Sequence, residues 1–227
     1  MWLFLYILLS ALDIVGNINS NEILICCTKP LLMPVLLVWF LKHTRFEKSF
    51  FKRAMIIALV AAFLGDVFLL FESQNEIFFL FGLGSFLIGQ VAYAISFLKS
   101  IKDSEGKGDK KLYFLFALIF ASFYFLLLHE LWSNLADFTI PVVIYGLAIC
   151  FMGLTAAYRY NKVVWHSYWY ILGGALTFVV SDCIIAINKF IFAGDLFQAQ
   201  ALIMFTYCLA QYLIIRGAII YIKSVSK

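Results

Sequence analysis

The sequence predicts an all-α membrane protein, a bundle of eight transmembrane helices with both termini cytoplasmic. Three observations carry that expectation. Of the 227 residues, 64% are apolar and only 13% charged, against roughly 45–50% and 25% in a soluble domain. The apolar residues fall into long runs, each close to the ~20 residues that a helix needs to cross ~30 Å of hydrocarbon. Barrel strands would instead alternate over about 10 residues. The basic residues, finally, sit in every second connection.

The runs follow in order. Trp2 to Asn17 is uncharged except for Asp13 and ends at the polar cluster Asn17-Ile18-Asn19-Ser20-Asn21-Glu22. It has no basic leader and no small-residue cleavage pattern, so it is read as a retained first helix. Ile23 to Leu41 contains Lys29 with Pro30 and Pro34, and the basic stretch Lys42 to Arg53 follows (Lys42, Arg45, Lys48, Lys52, Arg53). Ala54 to Phe71 holds Asp66 and is closed by Glu72 and Glu76. Ile77 to Leu98 leads to the second basic loop, Lys99 to Lys111 (Lys99, Lys102, Lys107, Lys110, Lys111), where Gly106 and Gly108 mark a flexible, solvated connector. Leu112 to Leu128 and Phe138 to Tyr158 flank Glu130 and Asp137. Arg159 and Lys162 precede Tyr168 to Ile187, which holds Asp182; Lys189 and Asp195 lie before Leu196 to Ile222, and Lys223 and Lys227 end the chain. By the positive-inside rule, this parity puts both termini in the cytoplasm.

The net charge of +4 is therefore topological rather than a nucleic-acid signal, since the basic residues are divided among loops and tail. No connection is long enough for a second domain, so residues 1–227 are expected to form one integral membrane domain. Cys26, Cys27, Cys150, Cys183 and Cys208 all fall inside predicted helices, without metal-type spacing. His43, His129 and His166 are too dispersed for a ligand set. No serine- or zinc-hydrolase signature occurs.

Candidate site residues emerge from depth. An ionised carboxylate in hydrocarbon costs roughly 2.5–3.5 kcal/mol, so Asp66 and Asp182 read as functional. Asp13, Lys29, Asp66 and Asp182 lie four to six residues from the predicted outer helix ends, which places all four roughly 6–9 Å beneath that boundary and open to one shared cavity. The prolines after Lys29 would bend its helix and free backbone carbonyls. Asp13 and Lys29 have snorkelling as their alternative, and Asp66 and Asp182 an interhelical hydrogen bond. Gly173, Gly174, Thr177 and Ser181 form a low-relief packing face. Gln90 and Tyr93 share one helix face, as do Tyr207, Gln211 and Tyr212, with helix-to-helix hydrogen bonding as the ordinary explanation.

Five motifs together, Thr28-Lys29-Pro30-Leu31-Leu32-Met33-Pro34, Leu64-Gly65-Asp66, Gly89-Gln90-Val91-Ala92-Tyr93, Ser181-Asp182-Cys183-Ile184-Ile185-Ala186-Ile187-Asn188-Lys189-Phe190 and Tyr207-Cys208-Leu209-Ala210-Gln211, resemble the YhhN-like membrane proteins, whose characterised members are lysoplasmalogenases. The family pattern often has His at the position of Gln90 and Arg at that of Lys189. The first departure removes a possible proton carrier; the second keeps the charge.

The resemblance implies cleavage of the vinyl ether of a lysoplasmenyl-type lysophospholipid to a fatty aldehyde and a glycerophospho-base, in a bacterial inner (cell) membrane. It implies Asp66 and Asp182 as catalytic residues, substrate contacts from Lys29, Asp13, Gln90, Tyr93, Tyr207, Gln211, Asn188 and Lys189, and neither metal nor cofactor. The partners are membrane lipids and the substrate, with no nucleic acid. Protonating the outer alkene carbon gives an oxocarbenium ion, so the chemistry calls for a carboxylic acid and a second carboxylate, as in glycosidases. Asp182 is assigned as acid and Asp66 as base and electrostatic partner, with the reverse left open; Lys29 holds the substrate phosphate or tunes Asp66. The competing reading is a proton-coupled transporter or lipid-binding protein made of two four-helix halves, with Asp66 and Asp182 in corresponding third helices.

A cysteine introduced between Lys99 and Lys111 should react with impermeant thiol reagents only after the cytoplasmic side is opened, and one near Asn75 should react from outside. The reverse pattern would overturn the orientation.

Overall fold

Hydrocarbon offers no partner to a free N–H or C=O, so each apolar run must close its backbone hydrogen bonds within itself. The computed structural model, which describes residues 1–106 and 108–225, is accordingly helical throughout its apolar stretches. Lys107 of the second basic loop and Lys227 of the tail lie outside the described residues. Eight α-helices follow one another: α1 (Trp2–Ile18), α2 (Glu22–His43), α3 (Phe50–Leu69), α4 (Glu76–Lys102), α5 (Lys110–Leu131), α6 (Thr139–Ala157), α7 (Trp165–Phe190) and α8 (Ala199–Val225). Two short 3₁₀ turns, Trp132–Asn134 and Ala136–Phe138, join α5 to α6, and no strand occurs among the described residues.

Six helices (α2, α4, α5, α6, α7 and α8) are long and apolar enough to cross a membrane. The apolar α1 is shorter, at 17 residues, and α3 carries Lys52, Arg53 and Asp66 within its 20. The helices outrun several of the apolar runs: α3 begins at Phe50 rather than Ala54, α4 continues to Lys102, and α7 extends from Trp165 to Phe190. Side-chain caps set four of the starts. Asn21, Ser49, Asn75 and Asp109 each accept a hydrogen bond from a first-turn amide, at 2.8–3.2 Å.

The bundle is arranged about α8, which packs on α7, α1, α2 and α3, while α4 pairs with α3 and reaches α6. Some 61% of the apolar window of α8 is buried, against 6% for α5, which leans mainly on α6. Hydroxyls tie α8 to its neighbours: Tyr6 Oη donates to the Cys208 carbonyl at 2.8 Å, Ser167 Oγ to that of Gly217 at 2.9 Å, and Ser181 Oγ to that of Ile203 at 3.1 Å. The α7–α8 contact also needs glycine. A Cβ at Gly174 would sit 2.8 Å from the Ile214 nitrogen and 2.9 Å from the Ala210 oxygen, both backbone atoms.

At the basic end, Arg159 is fully buried, donating to Ser100 Oγ at 2.9 Å and Ser167 Oγ at 3.0 Å, with its guanidinium over the Phe97 and Tyr221 rings. Burial pulls its pKa below the ordinary value, opposed by Tyr221 and Tyr168. The α4–α5 connector is not simply a free tether, because Ser104 donates to the Lys162 carbonyl and Lys162 to that of Gly106.

Gly174→Val should cost about 1–3 kcal/mol by overpacking, read as a lower thermal midpoint in detergent. Gly84→Val, where an added Cβ meets nothing within 4 Å, should leave that midpoint unchanged.

Candidate active site

The ends of α1 to α4, α7 and α8 and the 3₁₀ turns before α6 surround a cavity of about 890 Å³. It lies at the end of the bundle that carries Glu22, Glu72 and Glu76, all three of which line it. Lys29 and Lys189 supply its cations. Pro30 has no N–H to bond the Cys26 carbonyl one turn back, and Cys26 also lines the cavity. Lys189 stands in the last turn of α7, its ammonium 4.1 Å from the Phe79 ring centroid and 5.8 Å from that of Phe138.

Leu69, Phe79, Ile185 and Phe190 are shared between this vestibule and a slot of about 50 Å³ whose only polar side chains are Tyr145 and Asp182. Beyond it, a third pocket of about 40 Å³ between α5, α6 and α7 shares Val142, Tyr145, Asp182 and Ala186 with the slot. Asp182 stands at that junction, where Tyr145 Oη donates to its Oδ2 at 2.5 Å.

Asp66 is placed differently. It is 2% exposed, accepts from Tyr207 Oη at 2.9 Å through Oδ2, and lines none of these three cavities. The Tyr207 ring stands edge-on to Phe86 and Phe178, with centroids 5.9 and 5.6 Å away. Phe86 in turn covers Gly65, where a Cβ would meet its ring at 2.6 Å. Phe86 also lines the slot, so one ring borders the slot, Gly65 next to Asp66 and the Tyr207 ring that bonds Asp66.

Asp13 is fully buried and satisfied, by Thr28 Oγ1 at 2.8 Å and Asn17 Nδ2 at 3.1 Å, which locks α1 to α2. Among the described residues, Lys29 makes no ion pair within 4.0 Å. The expectation of one cavity shared by Asp13, Lys29, Asp66 and Asp182 is thus corrected: Lys29 lines the vestibule and Asp182 the slot, while Asp13 and Asp66 are sealed by hydrogen bonds between helices. Helix ends explain part of the difference. Asp66 lies three residues before the end of α3, but Asp182 lies eight before the end of α7, which continues through Asn188 and Lys189.

The remaining polar candidates sort in the same way. Tyr93 Oη donates to Gln211 Oε1 at 2.6 Å, linking α4 to α8 away from all three cavities. Gln90 is 1% exposed and lies beside the Tyr145 hydroxyl. Its Oε1 and the Nε2 of Gln211, one acceptor and one donor, are buried without partners among the described residues. Asn188 lines the vestibule, but its side chain is engaged: Oδ1 accepts from the Leu196 amide at 3.1 Å and holds the α7–α8 turn. Sequence reasoning passed over Tyr145 and Thr28. The available signal was a hydroxyl within an apolar run, which needs a partner in hydrocarbon. Among the described residues, no three His, Cys, Asp or Glu side chains converge to hold a metal ion.

Comparison with known proteins agrees with the motifs. The model described as the YhhN family matches residues 24–218. Lysoplasmalogenase TMEM86A of Homo sapiens is 33% identical over 171 residues, covering 73% of this chain and 65% of the relative. The Bos taurus protein of the same name is 32% identical over 175 residues, with the same shares. The matched part of the chain thus spans 65% of the length of these curated relatives. No solved structure matches.

Tyr207→Phe removes the hydroxyl that Asp66 accepts and should cost about 1–3 kcal/mol, the penalty for an unanswered buried acceptor. Tyr145→Phe should cost less, because Asp182 faces open space. Thermal midpoints in one detergent would test that order.

Proposed function

Because the chain belongs to the YhhN family, we propose that it is an intramembrane ether hydrolase that acts on a lysoplasmenyl-type lysophospholipid. It cleaves the vinyl ether to a fatty aldehyde and a glycerophospho-base. The observation that supports this best is the position of Asp182, held by Tyr145 where a charged vestibule gives way to apolar pockets. The substrate has that same order of polarity. Lys189 lies seven residues beyond Asp182 on α7, ~10 Å along the helix, about one glycerophosphate away. Lys29 and Lys189 therefore receive the phosphate while the vinyl ether enters the slot.

Asp182 acts as a carboxylic acid. Its proton goes to the outer alkene carbon, the π electrons form the new C–H bond, and the ether oxygen lone pair stabilises the cation as an oxocarbenium ion. Water from the vestibule adds to the carbon beside oxygen and returns a proton to the Asp182 carboxylate. The hemiacetal then collapses: its hydroxyl proton leaves, the carbon–oxygen bond to glycerol breaks, and the glycerol oxygen takes up a proton. One water is consumed, without metal or cofactor. Tyr145 orients Asp182 through Oδ2 and leaves Oδ1 toward the reacting bond. Asp66, behind Phe86, is the second carboxylate; it stabilises the developing positive charge through a low-dielectric wall rather than by touching water.

The vestibule lies opposite the basic loops, so the lipid enters from the outer leaflet if both termini are cytoplasmic. The protein's proposed place is the bacterial inner membrane.

Asp182→Asn should abolish aldehyde release from purified protein while its thermal midpoint stays close to wild type, and Asp66→Asn should lower kcat less severely. Turnover in heavy water should slow by roughly two- to threefold if proton delivery limits the rate. Unchanged activity in Asp182→Asn would overturn the mechanism. Absence of aldehyde from every lysolipid offered to wild type would overturn the assigned reaction and favour lipid transport or binding. Chelators should leave the rate unchanged, and zinc-reversible inhibition would point to a carboxylate metal site.

A further inference from the structure

We propose that the aliphatic chain of the substrate leaves the site sideways, through the seam where α5 leans on α6 and α7, and that Phe123, Leu127, Leu131 and Gly146 control the passage of any chain too long to stay inside. This rests on the assignment of Asp182 as the group facing the reacting bond, and adds a tail-binding site on its far side.

The first support is continuity. The vestibule shares four walls with the slot, and the slot shares Val142, Tyr145, Asp182 and Ala186 with the pocket under α5. A chain that has its ether bond beside Asp182 and its phosphate in the vestibule can continue only on the side away from the head group. The pocket under α5 is the space there, and Phe123, Leu127, Leu128 and Leu131 make it apolar.

The second support is the packing of α5. Only Phe120 and Leu131 of this helix are buried, and Phe114, Leu115, Leu118, Ile119, Phe125 and Leu126 face outward. Few buried contacts hold α5, so the seam opens at small cost. Gly146 keeps the α6 surface low at this point: a Cβ there would come within 3.3 Å of the Tyr124 ring.

The occupant is a single chain. The slot and the outer pocket measure about 50 and 40 Å³, room for the reacting bond and its nearest carbons, with no space for a second acyl chain beside them. The rest of the tail lies along the outward face of α5 and remains in hydrocarbon while the ether bond enters the protein. Drawing that tail into the charged vestibule would forfeit a favourable apolar environment for every methylene.

A non-hydrolysable 1-O-alkyl lysophospholipid with a mid-chain diazirine tests the route in wild-type protein in bilayer nanodiscs. Label on residues 123–131 and 142–149 is expected. Label confined to α3 and α8, or spread evenly over all helices, would overturn the route. A second measurement uses substrates of different length: in Gly146→Phe the ratio of kcat/KM for a sixteen-carbon over a six-carbon substrate should fall tenfold or more, and in Leu127→Ala it should rise. An unchanged ratio in both variants would also overturn it. Label in the seam without aldehyde from any wild-type substrate would retain the tail site and reject the hydrolase reading instead, so the two can fail separately.

Discussion

A bundle set in hydrocarbon has no solvent to answer a stray polar group, and that constraint orders this molecule from α8 outward. Of the buried polar side chains, several are spent on α8: Tyr6, Ser167 and Ser181 donate to its carbonyls, Tyr93 to its Gln211, and its own Tyr207 to Asp66. Each bond crosses between helices whose apolar surfaces would otherwise slide past one another, since lipid is as apolar as leucine and supplies no hydrophobic drive for association. Glycines do the complementary task. Gly174 and Gly217 bring α7 within backbone contact of α8, and Gly65 admits the Phe86 ring between α3 and α4. Position along the helices is thus set by hydrogen bonds, and closeness by the missing side chains.

The same constraint divides three chemically identical residues. Asp13 and Asp66 are buried, Asp13 accepting from Thr28 and Asn17 and Asp66 from Tyr207, and both lie outside the cavity walls. Asp182 has Tyr145 on one oxygen and open space beside it. A carboxyl group enclosed on every side stabilises the fold and contributes a fixed field. One with an unoccupied flank can exchange a proton with a guest. The Phe86 ring borders both the slot and the Tyr207 ring that bonds Asp66, so one side chain stands between these two environments.

All eight apolar runs became helices, because length and hydrophobicity are local properties that bilayer thickness constrains directly. The ends were less legible. An apolar run marks where hydrocarbon stops rather than where the helix stops, so Phe50–Arg53 and Asn188–Phe190 remain helical beyond their predicted limits, held by the Ser49 cap and by the turn that Asn188 closes. Within the site, the sequence picked out polar residues at membrane depth but not whom they meet. The Tyr207–Asp66 bond spans 141 positions and the Tyr93–Gln211 bond 118, and no local pattern carries such pairings. Tyr145 was missed for the opposite reason: a lone tyrosine among valines and isoleucines resembles ordinary packing until its hydroxyl is asked for a partner.

The uneven packing of the bundle suits the lipid guest proposed above. A lipid substrate brings a charged head and an apolar tail, and a protein that buried both would have to desolvate the head and then shelter a long tail inside itself. Here the charges of Lys29 and Lys189 remain at the wet end of α2 and α7, while the opposite side of Asp182 abuts the helix with the least buried surface, α5. Tight packing is concentrated where α3, α4, α7 and α8 hold the aspartates, and loose packing where a tail would pass. On the proposed reading, rigidity around Asp182 and compliance along the α5 flank therefore belong to different helices, so neither has to be compromised for the other.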